Sequence, residues 1–181
     1  GRLGREKNVD LVLEAFARLD DTRARLAIVG EGTHRAELER ACVRLGIASR
    51  VYFAGESARE DLPDIYASAD AFVFTSRTET QGLVLVEALA SGVPIVAIDT
   101  PATADVLGGA GTLVSGDATA LAAALGSVLD AGRFALRRSR DVSNRFDGDR
   151  LGARVIALYD ELVDVGPTRT THAGPAVLTS G

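Results

Sequence analysis

The sequence predicts an α/β fold, a doubly wound parallel sheet with helices on both faces. Three observations predict it. Short continuous apolar runs alternate with longer amphipathic segments along most of the 181 residues. The runs show no in–out alternation, as expected of strands buried on both faces. The composition is 46% hydrophobic but only 5% aromatic, with 19 glycines, so small aliphatic side chains are available to pack helices on a sheet.

In order along the chain, Asn8 stands where it can cap a helix through Leu19, with Val9, Val12, Ala15, Phe16 and Leu19 on one face. "RLAIVG", ending at Gly30, reads as the first strand. A glycine-containing turn and a helix closing near Gly46 follow. "RVYFAG" is the second strand, "REDLPDIYASAD" a short helix and "AFVFTS" the third strand. "GLVLVEALAS" is a helix ended by Gly92, and "PIVAID" the fourth strand. "TPATADVLG" is a turn or short helix, "GTLVS" a weak fifth strand, and "DATALAAALGSVLDAG" a helix with Asp117 near its start. Two further helices are expected near Arg133 to Phe146 and Asp149 to Val163. The rest, residues 164–181, has no periodicity and reads as a disordered tail, leaving one domain over residues 1–163.

Bulk properties exclude several functions. The net charge is -5 with no basic tract, which argues against nucleic acid as a partner. The single cysteine, Cys42, allows no internal disulfide or cysteine metal cluster and reads as a small core residue in a reducing compartment. No run approaches the roughly 18 apolar residues of a membrane helix. The chain has no methionine and opens on a loop, so it reads as a piece of a longer protein.

In doubly wound sheets, ligands bind where strands end and loops enter helices. One such loop is "GRLGREKN". It holds Arg2 and Lys7, the only lysine. A planar guanidinium and a compact ammonium beside a helix N-terminus suit a diphosphate, although a simple exposed pair fits the spacing too. In "VGEGTHRAELE", Gly30 and Gly32 allow close backbone approach of a ligand, or simply a tight strand–helix turn. His34 reads as a solvated first-turn residue and His172 lies in the tail; neither has the neighbours of a triad or metal site.

The most informative stretch is "TETQGLVLVEALASGVP", Thr78 to Pro94. The open amides of a helix starting at Gly82, Leu83 and Val84 make an anion site. Glu79 precedes them, and Glu87 lies about 7 Å along the helix axis from Gly82. Two carboxylates flanking an anion site match the layout of a nucleotide sugar: ribose, diphosphate, hexose. Alternatively, Glu79 answers the helix dipole and Glu87 belongs to a solvated face. Against the latter, Glu87 interrupts an otherwise apolar helix, and a buried carboxylate needs a partner.

With "LAIVGEGTHRAELE", "RVYFAG" and "YASADAFVFTS" in this order, the chain resembles the C-terminal, donor-binding half of the retaining GT-B glycosyltransferases of family 4, the glycosyl transferases group 1. That half is a Rossmann-like domain. The resemblance runs from Gly1 to about Val163. It implies that Arg2 and Lys7 hold the donor diphosphate and that Glu79 binds hexose hydroxyls, making these three the catalytic candidates. Glu87 would bind ribose hydroxyls, and Gln81, Gly82, Leu83, Val84 and Gly30 would complete the donor site. Ser57, beside Glu56, would face the base.

Two departures stand out. Gln81 occupies a position where the family usually has Phe, and "DTPATAD" replaces a loop that commonly carries a glycine pair, which weakens sugar contacts there. A central strand would precede Gly1. The resemblance further implies a nucleotide-diphosphate sugar as co-substrate, no metal and no other cofactor. An N-terminal acceptor-binding domain would be the partner and the only part with membrane contact, in a cytoplasmic, bacterial protein that is at most peripheral to the membrane. The isolated chain would not transfer sugar. Other readings are a non-catalytic nucleotide- or phosphate-binding module, a truncated relic, or a nucleotide-sugar epimerase. A phosphorylase would need a pyridoxal lysine deep in the domain.

Overall fold

The computed structural model describes residues 1–78 and 82–131. The chain divides into compact units of Gly1–Phe146 and Asp147–Gly181. The second unit, and with it the helix expected over Asp149 to Val163 and the tail, lies outside the described residues. So do the helix expected over Arg133 to Phe146 and the segment 79–81.

The order of elements is α1 (Val9–Ala17), β1 (Leu26–Val29), α2 (Arg35–Arg44), β2 (Val51–Gly55), α3 (Leu62–Ser68), β3 (Phe72–Phe74), α4 (Leu83–Ser91), β4 (Ile95–Ile98), α5 (Pro101–Leu107), β5 (Thr112–Val114) and α6 (Ala118–Ala131). All five expected strands are present and every ladder between them is parallel, with one isolated antiparallel bridge between Gly30 and Gly55. β4 is buried at all four positions because helices cover both its faces. Val96 packs with Leu121, Ala122 and Leu125 of α6. Ile95 and Ala97 pack with Leu85, Ala88 and Leu89 of α4 and Leu107 of α5.

The single sheet expected from the sequence is instead two, β1–β2 and β3–β4–β5. No described strand pairs with both β1 and β3, so no ladder joins them. α1 ties the two halves together. Its Leu13 and Phe16 enter the core under β1 and α2, while Ala15 enters the core between α6 and β4.

Local chemistry sets several helix ends. Asp117 Oδ1 accepts from the Thr119 and Ala120 amides, capping α6. Thr100 and Thr103 cap α5 reciprocally: Thr100 Oγ1 accepts from the Thr103 amide, and Thr103 Oγ1 accepts from the Thr100 amide. The Thr103 hydroxyl also donates to the Ile98 carbonyl at 2.7 Å. "TPATADVLG" is therefore a helix closed by its own side chains. The expected Asn8 cap is not formed. Asn8 sits at φ 53°, a left-handed conformation that asparagine tolerates, and its side chain makes no capping bond. Cys42 is buried as expected.

Candidate functional site

The Gly1–Asn8 loop crosses the carboxyl ends of β1 and β3 and is held from both sides. On the β1 side, the Gly1 nitrogen donates to the Val29 carbonyl at 2.8 Å and the Leu3 amide to the Glu31 carbonyl at 2.7 Å. The His34 amide returns a bond to the Leu3 carbonyl. Gly30 and Gly32 make room for this contact. A Cβ at Gly30 (φ 134°) would collide with the Gly1 carbonyl, and one at Gly32 with the Leu3 carbonyl. The backbone that approaches these glycines is thus the chain's own. The Gly30 amide itself donates to the Gly55 carbonyl.

On the β3 side, two buried hydroxyls continue the strand. Thr75 Oγ1 lies 2.9 Å from the Lys7 carbonyl and 3.0 Å from that of Asn8. Ser76 Oγ donates to the Glu6 carbonyl at 3.3 Å. These hydroxyls fix the backbone that carries Lys7. Sequence reasoning gave Thr75 no role, and its only signal is the polar pair "TS" closing an apolar strand.

His34 corrects the expectation of a solvated residue, being only 4% exposed. Its Nε2 meets Asp10 Oδ2 of α1 at 2.5 Å. Its Nδ1 lies 3.1 Å from Glu37 Oε2 of α2 without hydrogen-bond alignment. Glu37 in turn binds Arg5 at 2.5 Å. The ring is enclosed by contacts to Asp10 of α1 and Glu37 of α2, while the His34 amide is bonded to Leu3 of the loop.

Arg2 projects into solvent, its side chain 81% exposed, and pairs with Glu6 at 3.2 Å. Such a pair is screened and easily exchanged for another anion.

α4 begins at Gly82 (φ 59°), where no side chain caps it. A Cβ there would press on Val106 at 3.1 Å. The Leu85 and Val86 amides bond to the Gly82 carbonyl, and the Leu83 side chain is largely exposed. Glu87 is half-buried, and Tyr66 of α3 is its hydrogen-bond partner among the described residues, the hydroxyl donating to Oε2 at 3.1 Å. Burial, then the Glu87 charge, raises the Tyr66 hydroxyl far above its usual range, so it remains a donor. Tyr66 was not anticipated, although the need of Glu87 for a partner was. Ser57 is half-buried in the loop after β2. Glu79 and Gln81 lie outside the described residues. No group of side chains among the described residues is arranged to hold a metal ion. No helix among them is long and apolar enough to cross a membrane.

Parallel strands whose carboxyl ends carry a basic loop and an uncapped helix define a Rossmann-like domain of the GT-B type. The chain belongs to the family "Glycosyl transferases group 1", whose profile matches residues 1–131. It is 34% identical over 190 residues to the D-inositol 3-phosphate glycosyltransferase of Mycolicibacterium smegmatis, covering all of this chain and 43% of that protein. It is 41% identical over 106 residues to the mannosylfructose-phosphate synthase of Agrobacterium fabrum, covering 53% of this chain and 23% of the relative. Among solved structures, HepE from Anabaena in complex with UDP superposes with a TM-score of 0.80 at 26% identity, over 89% of this chain and 47% of the other. The chain thus spans less than half the length of each of these proteins.

Proposed function

We propose that this chain is the donor-binding half of a retaining hexosyltransferase that uses a nucleotide-diphosphate sugar. The observation that carries the reading is the clamping of the Arg2–Lys7 loop onto the carboxyl end of β3 by Thr75 and Ser76. The resemblance to a UDP-bound structure over about half of that protein supports a nucleotide-sugar donor here and an acceptor-binding domain elsewhere in the intact protein.

In this reading the donor diphosphate lies against Arg2, Lys7 and the first amides of α4. The C1–O bond of the sugar breaks as the acceptor oxygen attacks, and negative charge grows on the leaving diphosphate. Two cations and a helix N-terminus fixed there lower the barrier by stabilising charge where it develops. Arg2 exchanges Glu6 for phosphate. Glu87 takes the ribose hydroxyls, Ser57 lies towards the base, and Glu79 and Gln81 are assigned to the sugar side on the family resemblance. The α5 start contributes little to the sugar, because the Thr103 amide is already taken by Thr100. Neither a metal nor another cofactor is required, since the cationic side chains supply the countercharge.

The alternation of bonds from Gly1 and Leu3 to Val29 and Glu31 follows a parallel ladder. In the intact protein a strand upstream of Gly1 would continue it between β1 and β3 and join the two sheets. We place the intact protein in the cytoplasm of a bacterium, with any membrane contact made through its other domain. The chain alone would bind donor without transferring sugar.

Calorimetry on the intact protein with UDP-, GDP- and ADP-sugars tests the reading. One donor should bind, and Lys7→Ala and Glu87→Ala should each lower kcat/KM by about a hundredfold or more. Unaltered turnover in both variants would leave the reading without support.

A further inference from the structure

Glu87 has two oxygens, and Oε2 is committed to the Tyr66 hydroxyl at 3.1 Å. Tyr66 is itself fixed. Its ring meets Phe72 of β3 edge-on, with centroids 5.4 Å apart and planes at 76°. The same ring packs against the core formed by Phe74, Leu85, Ala88 and Leu89. A long carboxylate side chain on a half-exposed helix face otherwise samples several rotamers, and a ligand must then bear the cost of ordering it. Here α3 has ordered it in advance.

We propose that Tyr66 is a positioning residue for donor recognition, holding Glu87 by Oε2 so that Oε1 is left to accept from a ribose hydroxyl. This rests on the reading of Glu87 as the ribose contact. A carboxylate only accepts hydrogen bonds, and a diol and a phenol both donate, so the two oxygens divide between protein and ligand without competition. A neutral phenol is well suited to this role, because it donates to the carboxylate and adds no charge to repel it. Without this bond Glu87 would meet the ribose in several orientations, and the hydroxyl-dependent part of the affinity would shrink. The bulk of nucleotide binding, which rests on the diphosphate, would not.

The test uses the intact protein and calorimetry with UDP, GDP and ADP, each beside its 2′-deoxy and 3′-deoxy form. The wild type should prefer the ribo form of the nucleotide it binds. Tyr66→Phe keeps the ring and its packing and should weaken the ribo form severalfold, the cost of ordering a carboxylate side chain that is no longer held, with the deoxy affinity nearly unchanged and only a modest fall in the thermal midpoint from the lost bond. Tyr66→Phe with a full ribo preference, while Glu87→Ala loses it, would overturn the proposal and leave the Glu87 reading standing. A full ribo preference in Glu87→Ala would overturn both. Failure of all three nucleotides to bind would also overturn both.

Discussion

The two sheets are stabilised by different chemistry. Around β1 and β2, apart from the buried His34 with Asp10, the polar contacts are ionic and mostly exposed: Arg35 reaches both Glu31 and Glu39, Arg5 reaches Glu37, and Arg23 reaches Asp21. Around β3, β4 and β5 they are buried hydroxyls, Thr75, Ser76 and Thr103, bonded to backbone carbonyls. Exposed ion pairs are screened by water and add little, whereas a buried hydroxyl cannot be removed without stranding its partner. The rigid side of the proposed site is therefore the β3 side, and the β1 side is fixed mainly by backbone fit at Gly30 and Gly32.

The apolar cores test whether that contrast divides the unit into independently folding halves. Leu38 lies wholly buried in the core under β1, and Leu89 wholly buried in the core under β4. Each Leu→Ala change should cost about 3 kcal/mol. Because α1 inserts side chains into both cores, either variant should unfold in one cooperative transition, read by denaturant titration with fluorescence and circular dichroism. Two separated transitions would show that the sheets fold independently.

A smaller effect isolates the hydroxyls. Thr103→Val preserves shape and removes the bond to the Ile98 carbonyl and the bond accepted from the Thr100 amide, while Thr100 Oγ1 still caps the Thr103 amide, at a cost of about 2 kcal/mol. Arg35→Ala, which severs two ion pairs, should barely move the thermal midpoint, and added salt should not change that. A comparable loss in both variants would erase the contrast between the halves.

Much of this organisation was legible in the sequence, because it is local. Unbroken apolar runs gave the parallel strands, Gly92 ended α4, and Asp117 marked the start of α6. Carboxyl strand ends pointed to the Arg2–Lys7 loop. The long-range pairings were not legible. His34 meets Asp10, 24 positions upstream on α1, and its amide bonds to Leu3 of the loop, contacts that no local pattern encodes. Tyr66 and Glu87 are 21 positions apart and meet through helix packing that no periodicity encodes. Asn8 looked like a cap by residue type, but the turn before it required a left-handed residue at that position. The split of the sheet likewise depends on which strand lies between β1 and β3, a matter of topology and not of local pattern.

The smallest expected effect separates hydrogen bonding from charge at the α6 cap. The Asp117 carboxyl is held below its ordinary value of 3.8, first by the Ser115 hydroxyl and then by the Ala120 amide. A carboxyl depressed in the folded state contributes stability that is complete above the unfolded value. That stability is lost as pH falls through the folded one. The wild type should therefore lose part of its stability below about pH 4, and Asp21, depressed by Arg23 in the other half, shifts in the same direction. Asp117→Asn separates the two contributions. Asparagine caps a helix about as well as aspartate but does not titrate, so the variant should match the wild type near pH 7 apart from its lost dipole interaction. Its thermal midpoint should then fall less steeply between about pH 5 and pH 3. An unchanged slope would assign the acid sensitivity to the exposed carboxylates of the β1 side and reverse the comparison for charge.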